Sequence, residues 1–469
     1  MSFTPLDKVQ NNYDVIVIGS GLGGLTCANR LAKAGHAVLL LEHHIQLGGL
    51  ATWFKRGGHI FDVSLHGFPH GMVKTCKKYW SKEIKESIVQ LKNIVFDNPQ
   101  FSLTTTFSKD DFVRILQEDF RIERSIVDNF FNTVRAMNFY DDQNMTTREL
   151  FERFFPGRSD VHRLLMEPIT YANGSTMDEP AITYGIVFSN FMSKGVFTFE
   201  GGTDKLIGLM ADELQKNGVT ICTGAKVERV MVENGKTKGV LVDDREITAK
   251  AVVSNSGITN TIDNLAGRDA FSDDFLSRFD KVVVNNSSCQ VYFGIRKGES
   301  FPDVGDLLFT STAENFSSEE MRRINTQSRT FSVYYPKTRP DNPKDYTVVA
   351  SMNGNYDDWA SLDDQTYKLA KEAMVERCFD DLDRYIPGIR AKVDTISAAT
   401  PKTFNRYTLH TRGTSFGTKF EGLDISRSLF KEVGGLFHVG SVGIIMSGWL
   451  GAINYGVIVA NDVDAYVRG

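Results

Sequence analysis

Charge of one sign, paired cysteines and an export signal are scarce or missing in this chain, and each absence excludes something. A net charge of −5 over 469 residues leaves no electrostatic footprint for nucleic acid. Five cysteines, Cys27, Cys76, Cys222, Cys289 and Cys378, are odd in number, widely spaced and without a C-x-x-C pair, so a reducing, cytoplasmic setting is expected. Residues 1–10 hold no apolar signal core, which makes export an unexpected fate. There is no internal repeat and no low-complexity segment. The stretch 433–460 lacks Asp, Glu, Lys and Arg and is long enough for a membrane span, but its glycines argue for a buried strand followed by a buried helix. With 41% hydrophobic and 24% charged residues, the chain has the composition and length of two intertwined domains.

What is present begins at residues 13–42. Val15-Ile16-Val17-Ile18 suits a strand buried on both faces, and Gly19-Ser20-Gly21-Leu22-Gly23-Gly24 supplies a G-x-G-x-x-G turn directly after it. Gly19 permits the tight turn, Gly21 lets the backbone approach a pyrophosphate, and Gly24 lets the following helix lie close to the sheet. Leu25, Ala28, Leu31 and Ala32 share one helix face, Gly35 ends it, and Ala37-Val38-Leu39-Leu40-Leu41 is the next buried strand. Glu42 closes the unit where a carboxylate accepts from a ribose diol and repels a 2′-phosphate. A complete β-α-β unit with its acid is a dinucleotide site, with the phosphates at the helix N-terminus.

A second loop, Leu47-Gly48-Gly49-Leu50-Ala51-Thr52, follows at once and resembles the flavoprotein pattern in which a G-G loop continues along the FAD diphosphate. Toward the C-terminus, Gly435-Leu436-Phe437-His438-Val439-Gly440 reads as a strand, and Gly448-Trp449-Leu450-Gly451-Ala452 as a turn entering the last helix. A helix start aimed at the flavin favours the negative charge that reduced flavin carries near N1 and O2. FAD is therefore expected rather than NAD.

In the middle, Gly201-Gly202 leads into a helix, Asn234-Gly235 makes a hairpin, and 247–253 is a strand that rejoins the first unit. One insertion opens with Ser108-Lys109-Asp110-Asp111, a capping-box-like helix start, followed by apolar stripes at Ile126, Val127, Phe130, Phe131 and Val134 and at Tyr184, Phe188, Phe191 and Met192. A second insertion has strand-like runs at 290–295, 331–335 and 346–352, then a helix with Ala370, Ala373, Met374 and Cys378 on one side.

On these residues the chain resembles, over nearly its whole length, the FAD-dependent family of phytoene desaturases, carotenoid cis-trans isomerases and retinol saturases. The specific matches are the fingerprint with Gly48-Gly49, Gly201-Gly202, Val252-Val253-Ser254-Asn255, and Thr400-Pro401 followed by Arg406-Tyr407, Gly413 and Gly417. Phe61-Asp62-Val63 with His66 is similar to the saturase and isomerase branch. A departure is Gly440-Ser441-Val442-Gly443-Ile444, which lacks the histidine-proline and glycine run common among carotenoid enzymes. The resemblance implies an α/β, discontinuous two-dinucleotide-binding-domain FAD fold (GR2-like Rossmann) with an α+β substrate domain. The cofactor domain would comprise 12–95, 196–265 and 431–469. The substrate domain would comprise 96–195, helical, and 266–430, sheet plus helices.

The same resemblance implies desaturation, saturation or cis-trans isomerisation of a long isoprenoid or polyene, with the cofactor carrying the chemistry. Cofactor contacts are expected at Gly19, Gly21, Leu22 and Gly24, at Glu42 and His43, at Gly48, Gly49 and Leu50, at Val227, and at Gly440, Gly451 and Ala452. FAD should be held non-covalently, since no cysteine lies beyond Cys378. His66 is a candidate acid or base beside the flavin, with a structural role as its alternative. Arg406 and Tyr407 either face substrate or tie the domains together. His43-His44 has no clustered carboxylate or cysteine partners, so no metal is expected and His43 is placed at the adenosine edge or the surface. The expected partners are a hydrophobic small-molecule substrate and a membrane surface, touched peripherally through exposed aromatic and aliphatic residues of 130–191. No oligomeric state is indicated. A flavin amine oxidase and a non-catalytic flavin-binding protein are the alternatives.

Overall fold

The computed structural model describes residues 3–138, 144–339 and 346–469. Asn12–Ile18 forms a strand at the middle of a seven-stranded sheet, with Val15, Ile16 and Val17 fully buried as the unbroken apolar run requires. Val38–Glu42 lies parallel on one side, with Thr220–Thr223 beyond it, and Arg245–Ser254 lies parallel on the other. Arg245–Ser254 is long enough to be shared. Its first half pairs with the hairpin of Lys236–Val242 and Val227–Glu233, while Val252, Val253 and Ser254 pair with Leu436–His438. Three distant parts of the chain thus make one α/β sheet.

Leu22–Lys33 packs over this sheet against the last helix, Gly448–Arg468. The two helices meet at glycine. A Cβ on Gly456 would stand 2.6 Å from the Gly23 carbonyl oxygen, and one on Gly23 only 2.5 Å from that of Val439. The stretch 433–460 is the buried strand and helix its glycines suggested, and among the described residues no helix is long and apolar enough to cross a membrane.

A second seven-stranded sheet runs Val393–Ala399, Ser287–Ile295, Thr347–Gly354, Ser328–Tyr334, Leu307–Ser311, Ile94–Asn98 and Phe101–Thr105. Alternation gives it two faces. Val291, Phe293, Phe331, Val333, Val348 and Ala350 pack with Met374, Cys378 and Phe379 of the helix Asp364–Asp383. Ala373 is exposed, off the stripe expected for it. The hairpin Ile94–Asn98 and Phe101–Thr105 spans the expected 95/96 boundary and joins a sheet where only helices were expected. Its turn is closed by Asn98 Oδ1, which accepts from the N–H groups of Gln100 and Phe101.

Five helices, Lys109–Glu118, Arg124–Ala136, Thr147–Phe154, Ser159–Asn173 and Ala181–Met192, form the layer beside this sheet. Phe112, Phe130, Phe131, Phe151, Tyr184 and Phe188 are buried in its core. That corrects the exposed apolar face expected at 130–191 for the described residues, 139–143 lying outside them. Among the described residues the large exposed apolar side chains are Ile45, Val283, Leu369, Ile396, Tyr407 and Tyr466, none of them in this layer. The aromatic stripes are consumed by helix-on-helix packing. Ser108 Oγ does accept from the Asp111 N–H, but the Asp111 carboxylate turns to Thr105 and Thr106, so the capping box is half made.

Candidate active site

The turn after the first strand is held from outside itself. Gly19 has φ +90°, Gly24 N–H donates to Asn255 Oδ1 at 3.1 Å, and a Cβ on Gly24 would lie 2.2 Å from the Gly19 carbonyl oxygen. No side chain caps Leu22–Lys33 and no acid stands in its first turn, so its start is open to an anion. Ser20 links turn and acid. Its N–H and Oγ donate to Glu42 Oε2 at 2.8 and 2.6 Å, and Gly48 N–H donates to Ser20 Oγ at 3.2 Å. Gly48 and Gly49, at φ +111° and +59°, bring the second loop against Gly21, where a Cβ on Gly49 would be 3.0 Å from the Gly21 Cα.

Glu42 is 5% exposed. Its other oxygen, Oε1, accepts from His44 N–H at 2.8 Å and His43 Nδ1 at 2.9 Å. Burial alone would raise its pKa, but hydrogen bonds from His43, Ser20 and His44 outweigh that and hold the carboxyl below its usual value. His43 also meets the Tyr407 carbonyl oxygen through Nε2 at 3.1 Å. Its pKa is raised, chiefly by the hydrogen bond to Glu42. All four acceptor positions of Glu42 are therefore occupied within the protein. A ribose diol reaching this carboxylate displaces a donor, and of the two side-chain donors only the His43 ring has solvent access.

One continuous cavity of about 1150 Å³ runs from here through the molecule. Its walls include Gly19, Gly21, Leu22, Glu42, His43, Gly48, Gly49, Leu50, Val227, Gly451 and Ala452. Gly24 and Gly440 stand off the wall and serve packing, since a Cβ on Gly440 would meet the Ser256 carbonyl oxygen at 2.2 Å. At the far end of the glycine loops the last helix begins at Ser447, with neither a capping side chain nor an acid in its first turn. Two open helix starts facing one cavity, with glycines where a Cβ would obstruct, fit a diphosphate at one and an electron-rich ring at the other.

His66 belongs to that second end. Trp449, in the first turn of the last helix, donates from Nε1 to the Ser64 carbonyl oxygen at 3.4 Å, two residues before it. His66 Nδ1 lies 2.8 Å from Ser332 Oγ, and Nε2 lies 3.2 Å from Gln290 Nε2 and 3.1 Å from Ser351 Oγ. Burial lowers its pKa to about 4, the charge of Asp62 opposing the shift, so the ring is neutral at pH 7. Asp62 itself is a lock. It accepts from Thr203 N–H at 2.7 Å and pairs with Arg339 at 2.6 Å, and Arg339 pairs again with Asp204 at 2.7 Å. Arg406 and Tyr407, expected to face substrate or bridge domains, are exposed, and the Tyr407 ring packs edge-on against His44 with centroids 6.1 Å apart. Tyr407 thus stands at the Glu42 end, and both residues line the cavity described above. Ser20 and Asn255 are the residues whose roles sequence reasoning left unread.

Beyond His66 the cavity continues between an apolar wall, including Phe107, Ile169, Ile186 and Phe191, and the open face of the second sheet. Among the described residues no group of three or more His, Cys, Asp or Glu could hold a metal.

A cavity served by two open helix starts and continued by an apolar chamber is that of an FAD-dependent oxidoreductase. The family model described as flavin containing amine oxidoreductase matches residues 22–463, and the chain belongs to that family. It is 23% identical over 452 residues to the chloroplastic prolycopene isomerase of Arabidopsis thaliana, covering 88% of this chain and 75% of that one. It is 22% identical over 479 residues to the all-trans-retinol 13,14-reductase of Macaca fascicularis, covering 87% and 78%. A crystal structure of an oxidoreductase from Methanosarcina mazei shares the fold, with TM-score 0.68 at 19% identity, covering 96% of this chain and 100% of that one.

Proposed function

We propose that the protein acts on a long isoprenoid or polyene, by desaturation, saturation or cis-trans isomerisation. The observation that carries this reading is the continuity of the cavity, which passes from the glycine loops and the start of the last helix into a chamber walled by Phe107, Ile169, Ile186 and Phe191. An extended apolar chain fits such a space better than a small amine. The relatives named above, an isomerase of prolycopene and a reductase of retinol, support the same class. FAD, when bound, would accept the hydride equivalent lost when a CH–CH unit becomes a double bond, or return it in saturation, with the second hydrogen leaving or arriving as a proton; in isomerisation there would be no net transfer. The chain's part is to hold the diphosphate at the start of Leu22–Lys33, to set N–H dipoles against the ring at the start of Gly448–Arg468, and to keep water from the reacting bond.

Photoreduced protein mixed anaerobically with a polyene should regain its flavin colour or change the polyene spectrum. Bleaching of the oxidised protein by a primary amine, with no response to any polyene, would establish the amine oxidase alternative instead. Acid precipitation should release the flavin, because none of the five cysteines lines the cavity. A water-insoluble substrate has to be met at a bilayer, so peripheral attachment belongs to the proposal. Sedimentation with neutral liposomes at high salt checks it, full recovery in the supernatant counting against it.

A further inference from the structure

The open face of the second sheet is polar where a pure hydrocarbon would want it apolar. Gln290 is the direct cross-strand partner of Ser351, and Ser351 of Thr330, so three polar side chains form a row across three strands beneath the cavity. His66 stands over that row. Tyr292 donates its hydroxyl to Gln290 Oε1, which turns the amide so that Nε2 faces His66. The hydrogen-bond network then assigns the histidine: Nε2 accepts, and Nδ1–H donates to Ser332 Oγ.

This leaves an excess of donors. His66 Nε2 has one lone pair, and both Gln290 Nε2, at 3.2 Å, and Ser351 Oγ, at 3.1 Å, point at it. Gln290 carries a further N–H besides. An oxygen entering from the cavity resolves the conflict by accepting from Ser351 or Gln290. The cluster contains no cation to hold a carboxylate. It contains no free carboxylate to hold an ammonium either, Asp62 being committed to Thr203 and Arg339. Its titratable member is neutral through burial.

We infer that Gln290, Ser351 and His66 form a recognition point for a neutral oxygen function, a hydroxyl or carbonyl, on the isoprenoid substrate. This rests on the proposed function and narrows it from polyenes in general to oxygenated ones. Gln290 and Ser351 make the contact, and His66 is a positioning residue that orients both.

The test uses the flavin-loaded protein in detergent and two matched pairs of probes: all-trans-retinol with its deoxy hydrocarbon, and zeaxanthin with β-carotene. Binding is read from the perturbed flavin absorbance. The oxygenated member of at least one pair should bind about tenfold tighter, the effect of one or two neutral hydrogen bonds in a dry site. Ser351→Ala and Gln290→Leu should each erase that preference while hydrocarbon affinity and flavin content hold, which a merely structural role would not produce. Equal binding within both pairs overturns the inference and leaves the proposed function standing. Binding of none of the four overturns the proposed function, and the inference falls with it.

Discussion

The two ends of the cavity are built in opposite ways. At the Glu42 end the carboxylate's own links are near neighbours in sequence: Ser20 reaches Glu42 across 22 residues and Gly48 reaches Ser20 across 28, with Asn255 and Tyr407 bracing them from afar. At the His66 end they are 224, 266 and 285 residues away, on Gln290, Ser332 and Ser351. The first end is ionic, pairing a depressed carboxyl with a raised imidazole, and the second is neutral. A charged cofactor site can be written in one β-α-β unit. The substrate site proposed here is assembled by strand register instead.

That separation predicts substitutions that hit one end and spare the other. Glu42→Ala should do most. It strands the Ser20 and His44 donors, each buried orphan costing about 1–3 kcal/mol, so flavin affinity should fall at least tenfold by titration of apo-protein. Turnover per bound flavin should hold, and an unchanged affinity would mean Glu42 only closes a strand. Gly24→Ala comes next, because its Cβ would meet backbone at 2.2 Å. Overpacking of that kind costs about 1–3 kcal/mol, visible as a lower melting temperature and reduced flavin content.

His66→Asn should invert the pattern, with flavin affinity retained and turnover on an oxygenated polyene down about fivefold to tenfold, the loss of one or two neutral hydrogen bonds. Loss of flavin together with activity would join the two ends into one. The smallest effect is a pH dependence. His43 has a folded pKa above its ordinary 6.5, so its stabilising contribution is full below that value and fades as pH rises through the folded one. Melting temperatures of the wild type and His43→Asn should converge as pH rises from 6 toward 9, and a constant gap would remove His43 from the linkage.

Legibility followed the same division. The strand, turn, helix and acid of 13–42 could be read because backbone geometry there is dictated locally, by glycines and an apolar run. The fate of 433–460 was readable for a similar reason, glycine being a poor resident of one continuous membrane helix. The hairpin of Ile94–Asn98 and Phe101–Thr105 was not, since its half-buried alternation was masked by the helical stripes that follow. Phe61-Asp62 drew attention through its likeness to the saturase and isomerase branch, but nothing local told that the acid would pair with Arg339, 277 residues on. Arg406 and Tyr407 carried no local cue to which end of the cavity they would reach. Gln290 and Ser351 looked like ordinary strand polars, because only the register of the folded sheet makes them neighbours.

The Asp62–Arg339 pair has a further consequence, for how the molecule comes apart. Asp62 follows the glycine loops of the first sheet, Thr203 and Asp204 open a helix from mid-chain, and Arg339 lies just beyond a strand of the second sheet. A buried ion pair that loses one partner leaves an uncompensated charge costing about 3–5 kcal/mol. Neither sheet can therefore be melted or expressed alone without that penalty, and unfolding should proceed as a single transition. Two architectural halves should then behave as one cooperative unit.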